Sequence, residues 1–253
     1  MNRNNIEYMD DFKRTKETVP NIIVDYIRSS LERGDLKPGD QILSEIDIAE
    51  LLSVSRSSVR EAMKILSVYG VVEIRRGKGT FISDNIDSKD SINPLLFNFI
   101  LLKPNQKEIV DYRCYIERAV FEAAIKNATL KEIEMLEQNL NILRKIKKPS
   151  KKTLELEIEF HQILGRCTKN KLMTKTYEIA MDYFKPSIEI THYNQNNLEE
   201  TVEIHEISIR VLKERNFDMI NLVLEKNIEI WVRLSNINSN NYMNEHLSFR
   251  KRG

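Results

Sequence analysis

Residues 201–212 read TVEIHEISIRVL, and on a helical wheel the one imidazole lands where a leucine belongs: Leu198, Val202, Ile209 and Leu212 all lie within about 60° of His205. Three other amphipathic segments do the same. Asn227 sits among Ile220, Val223, Leu224, Trp231 and Leu234, and Arg113 among Ile109, Val110, Ile116, Val120 and Ala124, with Glu117 one turn on. In a fourth segment Glu157 and His161, an i, i+4 pair, flank an apolar face of Leu156, Phe160, Ile163, Leu164 and Cys167. Unpaired in an apolar core, each group would cost roughly a few kcal/mol, so the four segments are expected to share one polar cavity. Two imidazoles and a carboxylate suit a divalent transition metal. A metal-free cavity that hydrogen-bonds an organic ligand directly is the alternative. Taken singly, His205 reads as a satisfied core residue, and Arg113–Glu117 reads equally as an intrahelical ion pair. With a ligand present, Arg113 is the clamp for the carboxylate of a small organic acid, and Glu117, Tyr112, Tyr115 and Trp231 are candidate effector-pocket residues.

A second chemistry is concentrated in VSRSSVREAM. A helix that starts at Arg56 puts Arg56, Ser57, Ser58 and Arg60 on its first turn and a half, the part of a recognition helix that meets base edges in the major groove. Val59, Met63 and Leu66 then pack the opposite side down. Arg75, Arg76, Gly77 and Lys78 follow in a glycine-flanked turn, and Ser44 at the start of the preceding helix joins the candidate DNA-binding set. Six basic residues against Glu61 and Glu73 lie between Val54 and Thr80, in a chain whose net charge is only +1, so the basic face is local.

The elements that must position these groups follow from periodicity. Helices are expected at 20–33, over SEIDIAELL with Ser44 as N-cap, and from Ser55 to the stop at Gly70; VVEI and TFI then form a hairpin around RRGKG. Later segments carry the 3.6-residue period, with helices near 92–102, 105–128, 130–146, 153–168, 171–184, 197–215 and 217–238, punctuated by Pro104, Pro149 and Pro186. The expected fold is mainly α: an N-terminal winged helix-turn-helix with a two-stranded wing, then an all-α helical bundle. The divisions are an extension over 1–19, the DNA-binding domain over 20–83, a linker over 84–91, an effector-binding and dimerisation domain over 92–238, and a tail over 239–253. At 253 residues with 30% charged and 41% apolar residues, the chain reads as a soluble two-domain protein. No apolar run is long enough to span a bilayer, the polar N-terminus is no signal peptide, and two cysteines in unrelated contexts suit a reducing cytoplasm.

The stretch GDLKPGDQILSEIDIAELLSVSRSSVREAMKILSVYGVVEIRRGKGTFI resembles the winged helix-turn-helix of the GntR family of bacterial transcriptional regulators, from Pro20 to Ser83. VDYRCYIERAVFEAAIKNAT is similar to the opening of the FCD-type helical ligand-binding domain in that family's FadR-like branch. One departure is local: the family usually has arginine after the S-E pair, where it reaches DNA, and this chain has Ile46. The resemblance also implies a metal held by a D-x-x-F-H pattern and two later histidines. Here EIEFH puts Glu157 in place of the aspartate, His161 and His205 match, and Asn227 stands where the fourth ligand is usually histidine. Glu157, His161, His205 and Asn227 are therefore the implied ligands, binding zinc, nickel or manganese more weakly than the usual set.

These features point to a homodimer that binds an inverted-repeat operator in double-stranded DNA, a repressor whose grip is controlled by a small organic acid, with a bound metal assisting. No HExxH, no Ser-His-Asp set and no glycine-rich phosphate loop occurs, so no enzyme is expected. A metalloenzyme joined to a DNA-binding domain, and a constitutive DNA-binding protein with a purely dimerising helical domain, are the other readings.

Overall fold

The computed structural model describes residues 18–84, 94–192 and 195–234. Two compact units divide between Pro94 and Leu95. The expected extension, linker and tail fall outside the described residues, apart from Thr18, Val19 and Asp84 at their edges.

In the first unit α1 (Val19–Glu32), α2 (Glu45–Leu52) and α3 (Arg56–Val68) precede β1 (Val72–Arg75) and β2 (Gly79–Ile82). Side chains set the helix starts. Asp47 N–H donates to Ser44 Oγ at 3.2 Å while Ser44 N–H donates to the Asp47 carboxylate at 3.3 Å, a complete capping box for α2. Ser58 N–H donates to Ser55 Oγ at 3.1 Å and starts α3. Between them Ser53, at φ 53°, reverses the chain in the left-handed region. Ile23, Ile27, Ile48, Val59, Met63, Leu66, Val72 and Ile82 form the core. β1 and β2 are antiparallel, Val72 facing Ile82 and Arg75 facing Gly79. The wing turn needs glycine at Gly79, where φ is 108° and a Cβ would lie 2.7 Å from Gln41 Nε2. That same nitrogen donates to the Lys78 carbonyl at 3.0 Å, and Gln41 forms a bridge with Phe81.

The second unit is helical: α4 (Pro94–Leu102), α5 (Gln106–Asn127), α6 (Leu130–Leu143), α7 (Lys151–Cys167), α8 (Lys171–His192), α9 (Gln195–Glu214) and α10 (Ile220–Leu234). Asn105 with Glu108 and Thr129 with Glu132 form capping boxes at α5 and α6. Ser150 with Thr153 does the same for α7, two residues earlier than the apolar period indicates. Arg215 donates to the carbonyls of Ile125 and Ala128, binding the turn after α9 to the C-terminal end of α5. α5 packs on α7 and α10, α7 on α6 and α8, and α9 on α6 and α10. One contiguous core runs through Val120, Phe121, Leu136, Phe160, Tyr177, Phe184, Val211 and Trp231.

The mainly α architecture with a two-stranded wing is as expected, and among the described residues three boundaries move by three residues or more. Residues 144–146 are not helix: α6 stops at Leu143, and 144–145 form a turn. Residues 217–219 form a 3-10 turn capped by Asn216, whose Oδ1 accepts from Asp218 N–H at 3.0 Å, so α10 begins only at Ile220. Pro186 does not end its helix: α8 continues to His192. Proline removes one N–H and crowds the preceding turn, which bends a helix or breaks it, and here the turns on either side stay helical. Among the described residues no helix is long and apolar enough to cross a membrane.

The facing of α6 gives a direct check. Leu136 is fully buried and Leu130 is 77% exposed. Leu136→Ala should therefore lower unfolding free energy by about 2–5 kcal/mol in urea titration, with Leu130→Ala near neutral. Equal losses would contradict this packing.

Candidate functional site

Side chains from α5, α7, α9 and α10 converge on one cavity in the helical unit. Glu157 and His161 are four residues apart on α7 and so share a face; His205 comes from the facing α9. Glu157 Oε1 lies 3.2 Å from His161 Nε2, and Glu157 Oε2 lies 3.0 Å from His205 Nε2. All three groups are buried, and their donor atoms fall within 4.8 Å of one another. His161 Nδ1 is fixed by the Tyr177 hydroxyl at 2.6 Å. The His205 ring stacks on Phe160 with centroids 3.6 Å apart and planes 3° from parallel, and its Nδ1 has no hydrogen-bond partner among the described residues.

Burial by itself would raise the Glu157 carboxyl. The His205 charge, hydrogen bonds from both imidazoles and the His161 charge outweigh it and hold the group well below the usual carboxylate range. Burial, reinforced by the Glu117 charge, pushes the Tyr177 phenol well above its ordinary value, so it stays neutral beside His161.

The second half of the cavity comes from α5 and α10. Arg113 Nε donates to Glu117 Oε1 at 3.3 Å, and both side chains are buried. The Arg113 guanidinium lies 4.1 Å over the Trp231 ring and 5.1 Å over Phe184. Its terminal nitrogens take no hydrogen bond among the described residues. Asn227 Nδ2 donates to Glu117 Oε2 at 3.4 Å. The intrahelical ion pair and the shared polar cavity expected from the sequence are thus both present, on the same two residues.

The cavity holds about 30 Å³, room for roughly one or two waters or an ion. Donors about 2.0–2.2 Å from a common ion lie roughly 2.9–3.5 Å apart at octahedral or tetrahedral angles. The two contacts of Glu157, at 3.2 and 3.0 Å, lie in that range. His161, with its second ring nitrogen on Tyr177, has the outer partner that orients a ligating imidazole. The residues fit such an ion as three donors.

Asn227 lines the same cavity, and its Nδ2 donates to Glu117. Trp231 and Glu117 line it. Tyr112 and Tyr115 do not. One residue along a helix is roughly 100° of rotation, which swings Tyr112 away from Arg113 onto the Phe99 ring, 5.8 Å between centroids, and leaves Tyr115 exposed. Thr201 and Ser208 were missed as lining residues, although both lie on the His205 face of α9 at helical spacing. Tyr177 and the Phe160 stack carry no local signal, because their partners lie on other helices or around the wheel.

On the first unit, α3 exposes Arg56, Ser57 and Arg60. Ser58 is half-buried, and its hydroxyl and that of Ser57 each lie 2.8 Å from Ser55 Oγ in the helix cap. Arg60 is held by Glu45 of α2, through Nε at 3.1 Å and one η nitrogen at 3.0 Å. Ser44 is exposed, with its hydroxyl donated to Asp47. On the wing, Arg76, Gly77 and Lys78 are exposed at the turn. Arg75 is tied down, 2.7 Å from Glu73 and 4.4 Å over the Phe81 ring.

Residues 21–82 match the family described as bacterial regulatory proteins, gntR family, and residues 108–229 match the FCD domain. The chain belongs to the GntR family. Its sequence is 29% identical to the transcriptional regulator LutR of Bacillus subtilis over 56% of this chain and 65% of LutR. It is 22% identical to the transcriptional repressor NanR of Klebsiella aerogenes over 85% of this chain and 84% of NanR. Against LutR and the Uxu operon regulators of Haemophilus influenzae and Escherichia coli, the matched stretch covers 57–65% of the relative's own length. Among solved structures, a Streptococcus agalactiae GntR shares the fold, with a TM-score of 0.60 and 24% identity over 84% of this chain and 99% of that one. The FCD boundaries enclose Arg113, Glu117, Glu157, His161, His205 and Asn227 of the cavity, and Trp231 lies just beyond them.

The buried pair is testable by stability alone. Glu117→Ala leaves the Arg113 guanidinium buried and unpaired and should cost about 3–5 kcal/mol in chemical denaturation, most of it recovered in the Arg113→Met/Glu117→Leu double variant. A single-variant loss no greater than that of an exposed residue would show that Arg113 finds another partner.

Proposed function

We propose that the protein is a homodimeric, sequence-specific DNA-binding regulator, working as a repressor in the cytoplasm, whose operator affinity is set by a small organic acid in the helical domain. The observation that carries it is one chain holding both an exposed Arg56–Arg60 face on a capped recognition helix and a cavity of buried polar side chains with its own arginine. Recognition helices present their first turns to base edges, and arginine reads guanine. Arg76 and Lys78 at the wing tip serve the phosphates, contributing affinity without sequence information. A two-fold dimer matches an inverted repeat. The repressor sign follows the description of NanR as a repressor.

In the cavity Arg113 supplies the positive charge for the acid. Glu117 and Trp231 orient its guanidinium, and the terminal nitrogens face the ligand. Glu157, His161 and His205 would hold a divalent ion such as zinc, nickel or manganese, with Asn227 beside them. Such an ion supplies a second positive centre for a carboxylate. The acid needs more space than about 30 Å³, so binding requires the four helices to part, and that displacement is what couples the cavity to the DNA-reading heads. Activity here is binding, without turnover. Metal-free recognition is the second reading, favoured by the Glu157 carboxylate already engaging both imidazoles.

Two measurements test the DNA and cavity halves of this reading. Arg60→Ala should weaken binding to the selected operator by about 1–3 kcal/mol in fluorescence anisotropy, and unchanged affinity would remove it from base reading. His205→Ala should lower metal content by elemental analysis after loading with zinc, nickel or manganese. Wild-type content would put the metal elsewhere, and no uptake by the wild type would favour the metal-free reading.

A further inference from the structure

One hydroxyl in the cavity has nothing to bond. Thr201 lies one turn before His205 on the same face of α9, lines the cavity and is only 6% exposed. Among the described residues its hydroxyl makes no hydrogen bond, whereas Ser208, one turn beyond His205, gives its proton to the Ile204 carbonyl at 2.8 Å. Contacts between helices fix the height of Thr201 in the bundle. Along α10, Asn221 meets Arg118, Asn227 meets Glu117 and Trp231 meets Arg113, so α10 runs antiparallel to α5. Lys226 pairs with Glu203 and Arg233 with Glu200, so α10 also runs antiparallel to α9. Thr201, between Glu200 and Glu203, therefore falls level with Trp231 and so with Arg113. Arg113 and Thr201 also line one space of about 30 Å³, so a single small ligand there would touch both.

A hydroxyl proton in such a place needs an acceptor. The two carboxylates of the cavity already face other donors, Glu157 the two imidazoles and Glu117 the Arg113 and Asn227 side chains. Arg113, with Nε on Glu117, keeps its terminal nitrogens, and a carboxylate clamped there has lone pairs left over for a second donor. We infer that Thr201 is a ligand-binding residue whose hydroxyl donates to the carboxylate clamped by Arg113, one charged and one neutral donor making up a single carboxylate site. The inference rests on the acid-sensing reading above and goes beyond it by naming the second donor and the group it meets. Because that group is common to every acid, Thr201 sets affinity for the class and leaves the choice among acids to the rest of the wall.

The test uses the full chain and its single tryptophan, which lies over Arg113 and so reports the site by fluorescence. The probes are formate, acetate, propionate, glycolate, succinate and malate, with ligand-dependent unfolding temperature as a second readout. Thr201→Val, which keeps the shape and removes the hydroxyl, should weaken every probe that the wild type binds by about tenfold or more, the worth of a hydrogen bond to a charged group. Thr201→Ser, which restores the donor, should bind close to wild type. Without ligand, Thr201→Val should unfold at or slightly above the wild-type temperature, because no internal hydrogen bond is lost. Wild-type affinity in Thr201→Val overturns the inference. So does a loss confined to glycolate and malate, which would put the threonine on a substituent hydroxyl. A lowered unfolding temperature of ligand-free Thr201→Val overturns it too, because it would mark an internal bond. Binding that survives in Arg113→Met/Glu117→Leu, or a wild type that responds to no probe, fails the acid-sensing reading itself, a distinct result that takes the inference with it.

Discussion

A single buried carboxylate organises the helical unit. Glu157 faces His161 on its own helix and His205 on α9, at 3.2 and 3.0 Å, inside a region where charge is expensive. That contact dictates much around it. The imidazoles must approach edge-on, so His161 turns its other nitrogen to Tyr177 and His205 lies flat on Phe160. Tyr177 in turn approaches Gly165, where an added Cβ would meet its ring at 3.1 Å, so a small residue is needed on α7 for α8 to come this close. The Arg113–Glu117–Asn227 group repeats the arrangement from the other two helices, again around a carboxylate. Two acidic centres, each served by partners from two elements, hold four helices around a space too small for more than an ion or a water or two.

The DNA-reading unit is governed by a different constraint, the starts of its helices. Ser44 and Ser55 cap α2 and α3, and between the two helices Ser53 takes a left-handed conformation. Of the set expected to reach DNA, Ser44 is itself a cap, and the hydroxyls of Ser57 and Ser58 lie against the Ser55 cap. In the free protein Ser44 and Ser58 are committed to caps, so a phosphate contact by them would have to share or replace an internal hydrogen bond. Among the described residues Arg56 carries no such commitment, whereas Arg60 is already oriented by Glu45.

Much of this was legible from spacing. Residues 44–47 and 55–58 announced their caps, and mid-stripe polar residues on four helices announced the cavity, because a buried polar group betrays itself by interrupting an apolar period. Tyr112 shows the limit of that logic. It lies one position from Arg113, and composition favoured it for a pocket, yet a single residue of helical rotation sends it to a different neighbour. Pro186 shows another: proline removes a local hydrogen bond, but the turns on either side keep α8 helical to His192. Tyr177 and Glu45 were out of reach because their roles depend on which helix lies opposite, a fact about packing that no window of sequence contains. The Glu157 and Asn227 departures were visible only against a family pattern. The structure separates them, one at the centre of the donor set and one bonded to Glu117.

The brace under the wing has a consequence for association. Gln41 pairs with Phe81 and donates to the carbonyl of Lys78, and Gly79 leaves space for its amide. The basic tip is thereby ordered before any duplex arrives, and conformational entropy that a floppy hairpin would surrender on contact has already been lost during folding. An approaching duplex then meets a fixed backbone, and what remains to be immobilised is only the side chains of Arg76 and Lys78.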